Sequence, residues 1–239
     1  MAADDADAPI DRRVLRVVLV VTQLETGGAQ SVALQLAEGL RRRGHLAETW
    51  FMYRKHPAYE DAAHTAVIAE NKPRTLAGMR GLGRALSRRF RDRSADVAIG
   101  FTYYANAIAL SAAIKAGVRA RIATQHNPAW AYPRLGRWMD HRAGTRGVYT
   151  ANIAVSRAVA DTFRHHAARY RSLLQVIPNG ICPLEPQRDR DETRAAIGVP
   201  LRAPLILAAG RLVEQKNHAT LVRAMADAPG VHLAIAGEG

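Results

Sequence analysis

Cysteine is almost absent from this sequence. The 239 residues contain one cysteine, Cys182. A single thiol excludes an intrachain disulfide framework and fits a reducing compartment, of which the cytosol is the usual one. We therefore predict a cytoplasmic protein whose fold depends on its buried core.

Long apolar runs and targeting signals are also missing. No apolar run approaches the ~20 residues that a membrane-spanning helix needs. The N-terminal stretch MAADDADAPIDRR is acidic and lacks the basic start and the apolar centre of a signal peptide. We predict that residues 1–12 form a disordered tail and that no segment of the sequence spans a membrane.

Lysine is scarce although the chain is strongly basic. The formal net charge of +13 is carried by 30 arginines and only 4 lysines. Guanidinium groups favour contacts with phosphates and anionic surfaces, but an arginine-rich genome gives the same bias. No motif with groove-reading geometry accompanies the charge, so we expect no nucleic-acid partner.

Hydrophobic residues, by contrast, make up 48% of the chain, which is ample for a buried core. Residues 14–21, VLRVVLVV, are typical of a strand buried on both faces of a parallel sheet. A helical pattern follows from Ala29 to Arg43, and Gly44 ends it. The same alternation continues along the chain and predicts an α/β fold with a doubly wound parallel sheet. The further strands are predicted at 47–53, 65–69, 96–101, 119–124, 151–155 and 173–177.

A change of composition divides the chain into domains. Residues 13–178 hold the alternating elements of a first domain, and residues 179–200 interrupt them with prolines and charges, as a linker does. Residues 201–239 then supply only a strand, a helix and a strand, which cannot cover both faces of a sheet. We therefore expect an incomplete second domain, so that the chain is a fragment or another chain supplies the missing surface.

Two adjacent glycines, Gly27 and Gly28, stand between the first strand and the first helix. Free backbone N–H groups at such a helix start form an anion site, and glycines let a phosphate approach the backbone. The G-x-G-x-x-G fingerprint and the P-loop are both missing, which disfavours NAD and P-loop ATP hydrolysis. The alternative is that the glycines only make a tight turn.

His126 follows the strand predicted at 119–124, and Pro128 holds Asn127 away from the helical conformation. The imidazole should then stand near the carboxyl edge of the sheet, where it can bond a sugar hydroxyl or transfer a proton. The alternative is a structural histidine that caps the turn. The nine histidines and the lone cysteine show no H-E-x-x-H or zinc-type spacing, so we predict no metal site.

Two cations, Arg211 and Lys216, follow a strand of the second domain and precede a helix. Such a pair can neutralise a diphosphate leaving group while backbone N–H groups hold its oxygens. The alternative is an ordinary solvated charged surface.

Two segments are compatible either with contact to a lipid or with packing against the protein core. Residues 78–93 form a basic amphipathic helix, which either docks on anionic phospholipid or covers the sheet. The stretch that follows His126 mixes arginines with Trp130, Tyr132 and Trp138. These rings either stack on a sugar or a lipid, or pack into the core.

Six short segments in register carry a family resemblance: ETGGAQ, ATQHN, IAVS, VIPNGI, AAGRLVEQKN and LAIAGEG. Together they resemble the family 4 retaining glycosyltransferases, GT-B-type enzymes with two Rossmann-like domains that face a cleft. The resemblance runs from about Val14 to Gly239. It implies an enzyme of the hexosyltransferase type that moves a sugar from a nucleotide-sugar donor to a glycan or lipid-linked acceptor. It also implies retention of configuration. Because Arg211 and Lys216 can stabilise the charge of a departing diphosphate, we expect no requirement for a metal or another cofactor.

The resemblance assigns roles to individual residues. It implies that His126 is the active-site histidine that contacts the transferred sugar. It implies that Arg211 and Lys216 grip the donor diphosphate. It implies that Gly27 and Gly28 pack near the donor phosphates.

The sequence departs from the family pattern at two places. The family's loop reads G-G-x-E, whereas Gln30 stands at its last position here. The family's two glutamates, seven residues apart, address the donor sugar and ribose and would fall beyond Gly239. The pair Asn179-Gly180 matches the family's hinge between the domains.

We therefore expect a sugar-nucleotide-dependent glycosyltransferase, cytoplasmic or peripheral on the inner membrane face, that serves polysaccharide or glycolipid assembly. As a fragment it would show little activity alone. The alternative is a non-catalytic module that keeps the same fold to bind an acceptor or an anionic membrane.

Overall fold

A computed structural model describes residues 13–56, 59, 62–180 and 185–238. The chain divides into two compact units, Met1–Gly180 and Ile181–Gly239. The tail predicted for residues 1–12 and the single cysteine, Cys182, lie outside the described residues.

The first unit is built on a seven-stranded sheet in which every strand is parallel to its neighbours. The strand order is β3-β2-β1-β4-β5-β6-β7, so the chain winds outward in both directions from the centre. The doubly wound parallel α/β fold predicted from the sequence is confirmed. The strands are β1 Arg16–Leu24, β2 Leu46–Arg54, β3 Thr65–Val67, β4 Val97–Phe101, β5 Ala120–Gln125, β6 Ala151–Ala154 and β7 Leu174–Val176.

Helices cover the two faces of this sheet. They are α1 Gly28–Arg42, α2 Leu76–Asp92, α3 Leu110–Lys115, α4 Arg134–Thr145, α5 Arg157–Asp161 and α6 Ala168–Ser172. A π-helical turn over Ala105–Ala109 leads directly into α3, and a 3-10 turn covers Ala129–Ala131. Gly44 follows α1 with φ +86, the left-handed conformation predicted for the residue that ends this helix.

The core lies on both faces of the sheet because successive side chains of a strand point to opposite sides. Along β1, Val18 and Val20 pack with residues of α2, α3 and α4. On the other face, Val17, Leu19 and Val21 pack with α1. Burial on both sides explains why the apolar run of β1 is continuous.

Helix α2 buries the apolar side of the basic segment 78–93. Leu82, Leu86 and Phe90 lie in the core, where the Phe90 ring is 4.9 Å from that of Trp50. The opposite side of the helix exposes arginines at positions 80, 84, 88 and 91. The apolar stripe therefore covers the sheet, as the packing interpretation predicts. No helix in the described part of the chain is long and apolar enough to cross a membrane.

The second unit contains two parallel strands, β8 Leu205–Ala209 and β9 His232–Ala236. Its helices are α7 Arg190–Ala196 and α8 His218–Ala224, with 3-10 turns over Glu214–Lys216 and Met225–Asp227. Apolar side chains of the small sheet remain in contact with water: Ile206 is 40% and Leu207 is 66% exposed.

Helix α7 lies inside residues 179–200, the range that the sequence predicts as a linker. The Asp189 carboxylate caps this helix by accepting a hydrogen bond from the N–H of Glu192 at 2.8 Å. Prolines and charges on either side of the helix hide its short pattern in the sequence.

Candidate active site

The carboxyl ends of three neighbouring strands bring the predicted site residues of the first unit to one edge of the sheet. Strands β1, β4 and β5 are adjacent and parallel, so they end at the same edge. The Gly27-Gly28 loop follows β1, Thr102 follows β4 and His126 follows β5. Neighbouring strands lie about 4.8 Å apart, which places β1 and β5 roughly 10 Å from each other. An edge at which the strand order reverses is the usual ligand site of such folds.

Gly27 and Gly28 begin helix α1 for different reasons. Gly27 has an extended backbone, and a Cβ at this position would lie 2.7 Å from Oε1 of Gln30. A Cβ on Gly28 would meet no atom within 4 Å. Gly27 therefore makes room for a neighbouring side chain, whereas Gly28 leaves the helix start open, which is what an approaching phosphate requires.

Gln30 replaces the acid of the family's loop and points inward. Its side chain is buried, and its Nε2 donates a hydrogen bond to the backbone carbonyl of Gln23 at 3.1 Å. An ionised carboxylate has no proton to donate to a carbonyl, so a glutamate cannot make this bond at neutral pH. A glutamine at position 30 therefore supplies the hydrogen-bond donor that the Gln23 carbonyl on β1 needs.

Changing Gln30 to an acid tests this contact. Gln30→Glu is expected to lower the free energy of unfolding by about 1–3 kcal/mol at pH 7, because it buries a carboxylate against the Gln23 carbonyl. Urea unfolding measures the difference. Gln35→Glu, on the exposed side of the same helix, is the control and should cost less than about 0.5 kcal/mol. Equal stability of the two variants would show that Gln30 does not make this bond.

Thr102, at the end of β4, has a strained backbone. Its φ of +75 is rare for a β-branched residue. Its hydroxyl lies 2.5 Å from that of Thr22 on β1, and its carbonyl accepts from the N–H of Asn106 in the π-helical turn. Strained residues and π-helical turns both collect at functional sites. No local pattern in the sequence marks a positive φ at a threonine, so Thr102 was not among the predicted site residues.

Two contacts fix the imidazole of His126. The ring stacks on Phe101 with centroids 5.2 Å apart, and its Nε2 lies 2.9 Å from Oγ1 of Thr124. The Thr124 hydroxyl donates its only proton to the carbonyl of Gly100 at 2.7 Å, so it must accept from the histidine. Nε2 therefore carries the proton of the neutral ring, and Nδ1 carries the lone pair.

The protonation of His126 restricts its chemistry. Burial lowers the pKa of His126 to about 4, because desolvation penalises the imidazolium. Near pH 7 the ring is therefore neutral, and a group with this pKa is a weak general acid or base at that pH. A lone pair on Nδ1 can accept a hydrogen bond from a sugar hydroxyl. The geometry favours hydroxyl binding over proton transfer, the two roles that the sequence left open.

A buried polar network holds the end of β5. Nε2 of Gln125 lies 3.2 Å from the Asp140 carboxylate, which also accepts from the hydroxyls of Tyr149 at 2.8 Å and Tyr170 at 2.5 Å. Burial raises the pKa of Asp140, and the hydrogen bonds from the tyrosines and Gln125 oppose that rise. The network fixes the Gln125 side chain, and with it the backbone from which His126 projects.

A second polar cluster, which no motif in the sequence predicts, lies where β1 and β2 end. Nζ of Lys55 lies 2.7 Å from one oxygen of Glu25, and the Gln23 amide donates to the other. The Tyr53 hydroxyl donates to Oε1 of Gln23 at 3.1 Å, and burial raises the pKa of Tyr53 to about 12. Glu25 belongs to the same loop as Gly27, so these contacts hold that loop against β2.

In the second unit, Arg211 and Lys216 lie on the turn between β8 and α8. Arg211 follows β8, and a Cβ on Gly210 would lie 3.3 Å from Cε of Lys216, so the lysine side chain packs beside that turn. The N–H of Leu212 donates to the carbonyl of Glu238 at 2.8 Å, which ties the turn to the end of β9. Both cationic side chains are exposed. The pair therefore shares the carboxyl edge of the small sheet.

The described residues of the two units form no evident metal centre. Within the residues that the structure describes, no group of three or more His, Cys, Asp or Glu side chains is placed to hold a metal ion. The independence of the reaction from metal remains a prediction.

The sheet order, the glycine loop after β1 and the imidazole after β5 are those of a Rossmann-like α/β protein with a ligand site at the carboxyl edge of its sheet. The family model of Glycosyltransferase Family 4 matches residues 26–183, which is more than half of the chain. The chain belongs to this family. The matched range includes Gly27, Gly28 and His126 and ends before Arg211 and Lys216. No functionally curated protein matches the sequence.

Solved structures share the fold of this chain. Anabaena Alr3699/HepE in complex with UDP and glucose gives a TM-score of 0.78 at 19% identity, over 94% of this chain and 61% of that one. The lipopolysaccharide outer core galactosyltransferase WaaB gives 0.65 at 15%, over 94% and 61%. The catalytic domain of Starch Synthase IV from Arabidopsis thaliana, bound to ADP and acarbose, gives 0.63 at 15%, over 94% and 69%. The chain thus spans 61% of the length of HepE and of WaaB.

Proposed function

We propose that the protein moves a sugar from a nucleotide-sugar donor to a glycan or lipid-linked acceptor, with retention of configuration. One observation carries the proposal. The residues that match the family model hold a fixed, neutral His126 at the sheet edge where this fold binds ligands. HepE binds UDP and glucose, which makes UDP-glucose the first donor to test.

The two cations of the second unit neutralise the negative charge of the leaving group. When a nucleoside diphosphate departs from the sugar, negative charge develops on its phosphate oxygens. Arg211 and Lys216, exposed at one sheet edge, stabilise that charge without a metal. Residues 118–139 contain no aspartate or glutamate, so no carboxylate next to His126 in the sequence offers a nucleophile. We therefore favour attack from the face that the diphosphate leaves over a covalent sugar–enzyme intermediate.

Calorimetric titration of the 239-residue chain with UDP-glucose tests the proposal. We expect weak, saturable binding that persists in EDTA. Arg211→Ala and Lys216→Ala should each weaken it by about tenfold or more, since each removes a charge-assisted hydrogen bond to phosphate. Arg223→Ala, which removes another exposed arginine of the same unit, is the control and should leave the affinity unchanged. Failure of the folded protein to bind UDP-, ADP- or GDP-sugars would contradict the proposal.

A second candidate is a non-catalytic module that binds an acceptor or a membrane. The family match covers residues 26–183, which lie almost entirely in the first unit, the unit that such a module would keep. Acceptor or vesicle binding without any nucleotide-sugar binding would support this module instead of a transferase.

A further inference from the structure

Helix α2 and the loop before it carry a run of cations without any acid. Residues 71–91 contain no aspartate or glutamate. Their cations are Lys72, Arg74, Arg80, Arg84, Arg88, Arg89 and Arg91. Helix α1 shows the usual arrangement, since Glu38 pairs with Arg41 at 2.7 Å and with Arg42 at 3.1 Å. An arginine-rich genome explains why the cations are arginines, but it does not explain why the acids are missing from α2.

Four of these arginines form a ridge on the side of α2 that faces water. Arg80, Arg84 and Arg88 are exposed and follow one another at intervals of four residues, about 6 Å along the helix axis. Successive residues of a helix turn by about 100°, so the exposed Arg91 lies within the same arc. The buried residues of α2 lie outside this arc. We call the four side chains Arg80, Arg84, Arg88 and Arg91 the arginine ridge.

The charge of the ridge is not neutralised. Within the residues that the structure describes, no carboxylate forms an ion pair with the first three arginines of the ridge. Arg91 donates to the hydroxyl of Ser87 at 3.1 Å and to the carbonyl of Lys115 at 3.4 Å, and both of these acceptors are neutral. Like charges four residues apart destabilise a helix. The ridge therefore costs stability in the free protein, and a bound polyanion would relieve the repulsion.

The helix dipole explains only some of the cations. Helix α2 leaves β3 at the carboxyl edge of the parallel sheet and leads to the start of β4 at the amino edge. Its N-terminus therefore lies at the carboxyl edge, and Lys72 and Arg74 precede it there. Cations stabilise the C-terminus of a helix and are unfavourable at its N-terminus. The positive charge thus extends to the edge of the sheet at which His126 stands, and helix stability does not account for it.

We propose that the arginine ridge binds an anionic glycan, a carbohydrate chain with repeated carboxylate or phosphate groups, as the acceptor of the transferred sugar. Guanidinium groups form bidentate, charge-assisted hydrogen bonds with both kinds of anion. A row of arginines at regular intervals fits a ligand whose charges repeat along a chain. The inference rests on the proposed function and deepens it by naming the class of acceptor. The ridge and His126 belong to the same unit, so the ridge holds the glycan on the unit that carries the candidate site.

A nucleic acid fits the ridge less well. Proteins that bind single strands combine cations with aromatic rings on which the bases stack. The one aromatic residue of α2, Phe90, is buried. Of the three rings that follow His126, Tyr132 is buried, whereas Trp130 and Trp138 are exposed but lie outside α2. The ridge therefore offers charge without a platform for bases.

A bilayer surface also fits the ridge less well. Helices that lie on a membrane insert large apolar side chains beside their cations. No large apolar side chain lies between the four arginines, since Leu82, Leu86 and Phe90 point into the core. The ridge is therefore suited to a soluble polyanion.

Fluorescence anisotropy of a labelled oligogalacturonate, in which every sugar carries a carboxylate, tests the inference on the 239-residue chain. A phosphorylated dextran serves as the phosphate-bearing probe, and unmodified dextran as the neutral one. We expect saturable binding of at least one anionic probe, weakened by salt, and no binding of the neutral dextran. The ridge variant R80Q/R84Q/R88Q should bind that anionic probe at least about tenfold more weakly. It should unfold at the same or a higher urea concentration than the parent protein, because like charges are removed.

A matched variant separates the ridge from the net charge of the protein. R43Q/R119Q/R157Q removes three other exposed arginines of the first unit. Its affinity for the anionic probe should stay within about twofold of that of the parent protein, because salt screens charges that do not touch the ligand.

Five results would overturn the ridge. They are failure of both anionic probes to bind, equal binding of the probe by the ridge variant and the parent, and an equal loss of binding in the matched variant. The others are tighter binding of an oligothymidylate of the same charge, and binding to phosphatidylglycerol vesicles in place of either anionic probe. Calorimetry with UDP-glucose separates the two proposals. Intact donor binding with failed glycan binding contradicts the ridge alone, whereas failure of the folded parent protein to bind any nucleotide-sugar contradicts the proposed function.

Discussion

Asp140→Ala is expected to lower the free energy of unfolding by about 3–5 kcal/mol. The carboxylate is 1% exposed and accepts hydrogen bonds from Gln125, Tyr149 and Tyr170. Its removal leaves three buried donors without that acceptor and opens a cavity beside Tyr170. Since small proteins are stable by only about 5–15 kcal/mol, a large share of the margin would be lost.

Urea unfolding of matched variants measures this effect. Asp161→Ala, which removes an exposed carboxylate, should change the free energy of unfolding by less than about 0.5 kcal/mol. Asp140→Asn keeps one acceptor oxygen and should fall between the two. If the free energy of unfolding of Asp140→Ala lies within about 1 kcal/mol of that of the parent protein, the network does not hold the end of β5.

Acidification from pH 6.5 to pH 4 is expected to destabilise the first unit by up to about 3 kcal/mol through His126 alone. Burial lowers the pKa of His126 to about 4, below its ordinary value of 6.5. Between these values the unfolded chain binds a proton that the folded chain does not. The contribution is therefore fully present above pH 6.5 and is lost as the pH falls towards 4.

Unfolding free energies across this pH range test the effect. His126→Gln replaces Nε2–H with an amide donor that does not titrate, so its stability should fall less than that of the parent on acidification. His166→Gln should act in the same direction, because burial also lowers the pKa of His166 to about 4. Asp140 changes the pH dependence of stability in the opposite direction, because its pKa is raised in the folded protein. This effect cancels in each comparison, since Asp140 is present in both the variant and the parent. Parallel curves for His126→Gln and the parent would contradict a buried, neutral His126.

The fold of the first unit was predictable because its signals are local. The continuous apolar run of β1 indicates a strand that is buried on both faces. Gly44 indicates the left-handed residue at which α1 ends. The buried side of α1 was harder to predict, because Ala33, Ala37 and Gln30 line it while Leu36 remains 40% exposed. Hydrophobic periodicity gives weight to large side chains, whereas close packing of a helix on a sheet selects small ones.

The locations of the candidate site residues could be predicted from the sequence, but the protonation and the hydrogen bonds of their side chains could not. The sequence placed His126 at the carboxyl edge because a residue that follows a parallel strand must lie there. Its tautomer depends on Thr124 and on the Gly100 carbonyl, which stands on another strand. The strain at Thr102 and the hydrogen bond of Gln30 likewise depend on packing between distant segments. The roles of Arg211 and Lys216 in donor binding remain predictions.

In the proposed function, a neutral His126, protonated on Nε2, accepts a hydrogen bond from a sugar hydroxyl at Nδ1. Long-range proton–nitrogen NMR of the ¹⁵N-labelled protein at pH 7 tests it directly, with His126→Gln used to assign the ring signals. We expect a protonated Nε2, an Nδ1 without a proton, and a shift of the Nδ1 signal when UDP-glucose is added. A proton on Nδ1, a doubly protonated ring at pH 7, or a bound sugar that leaves both nitrogen signals unchanged would contradict it.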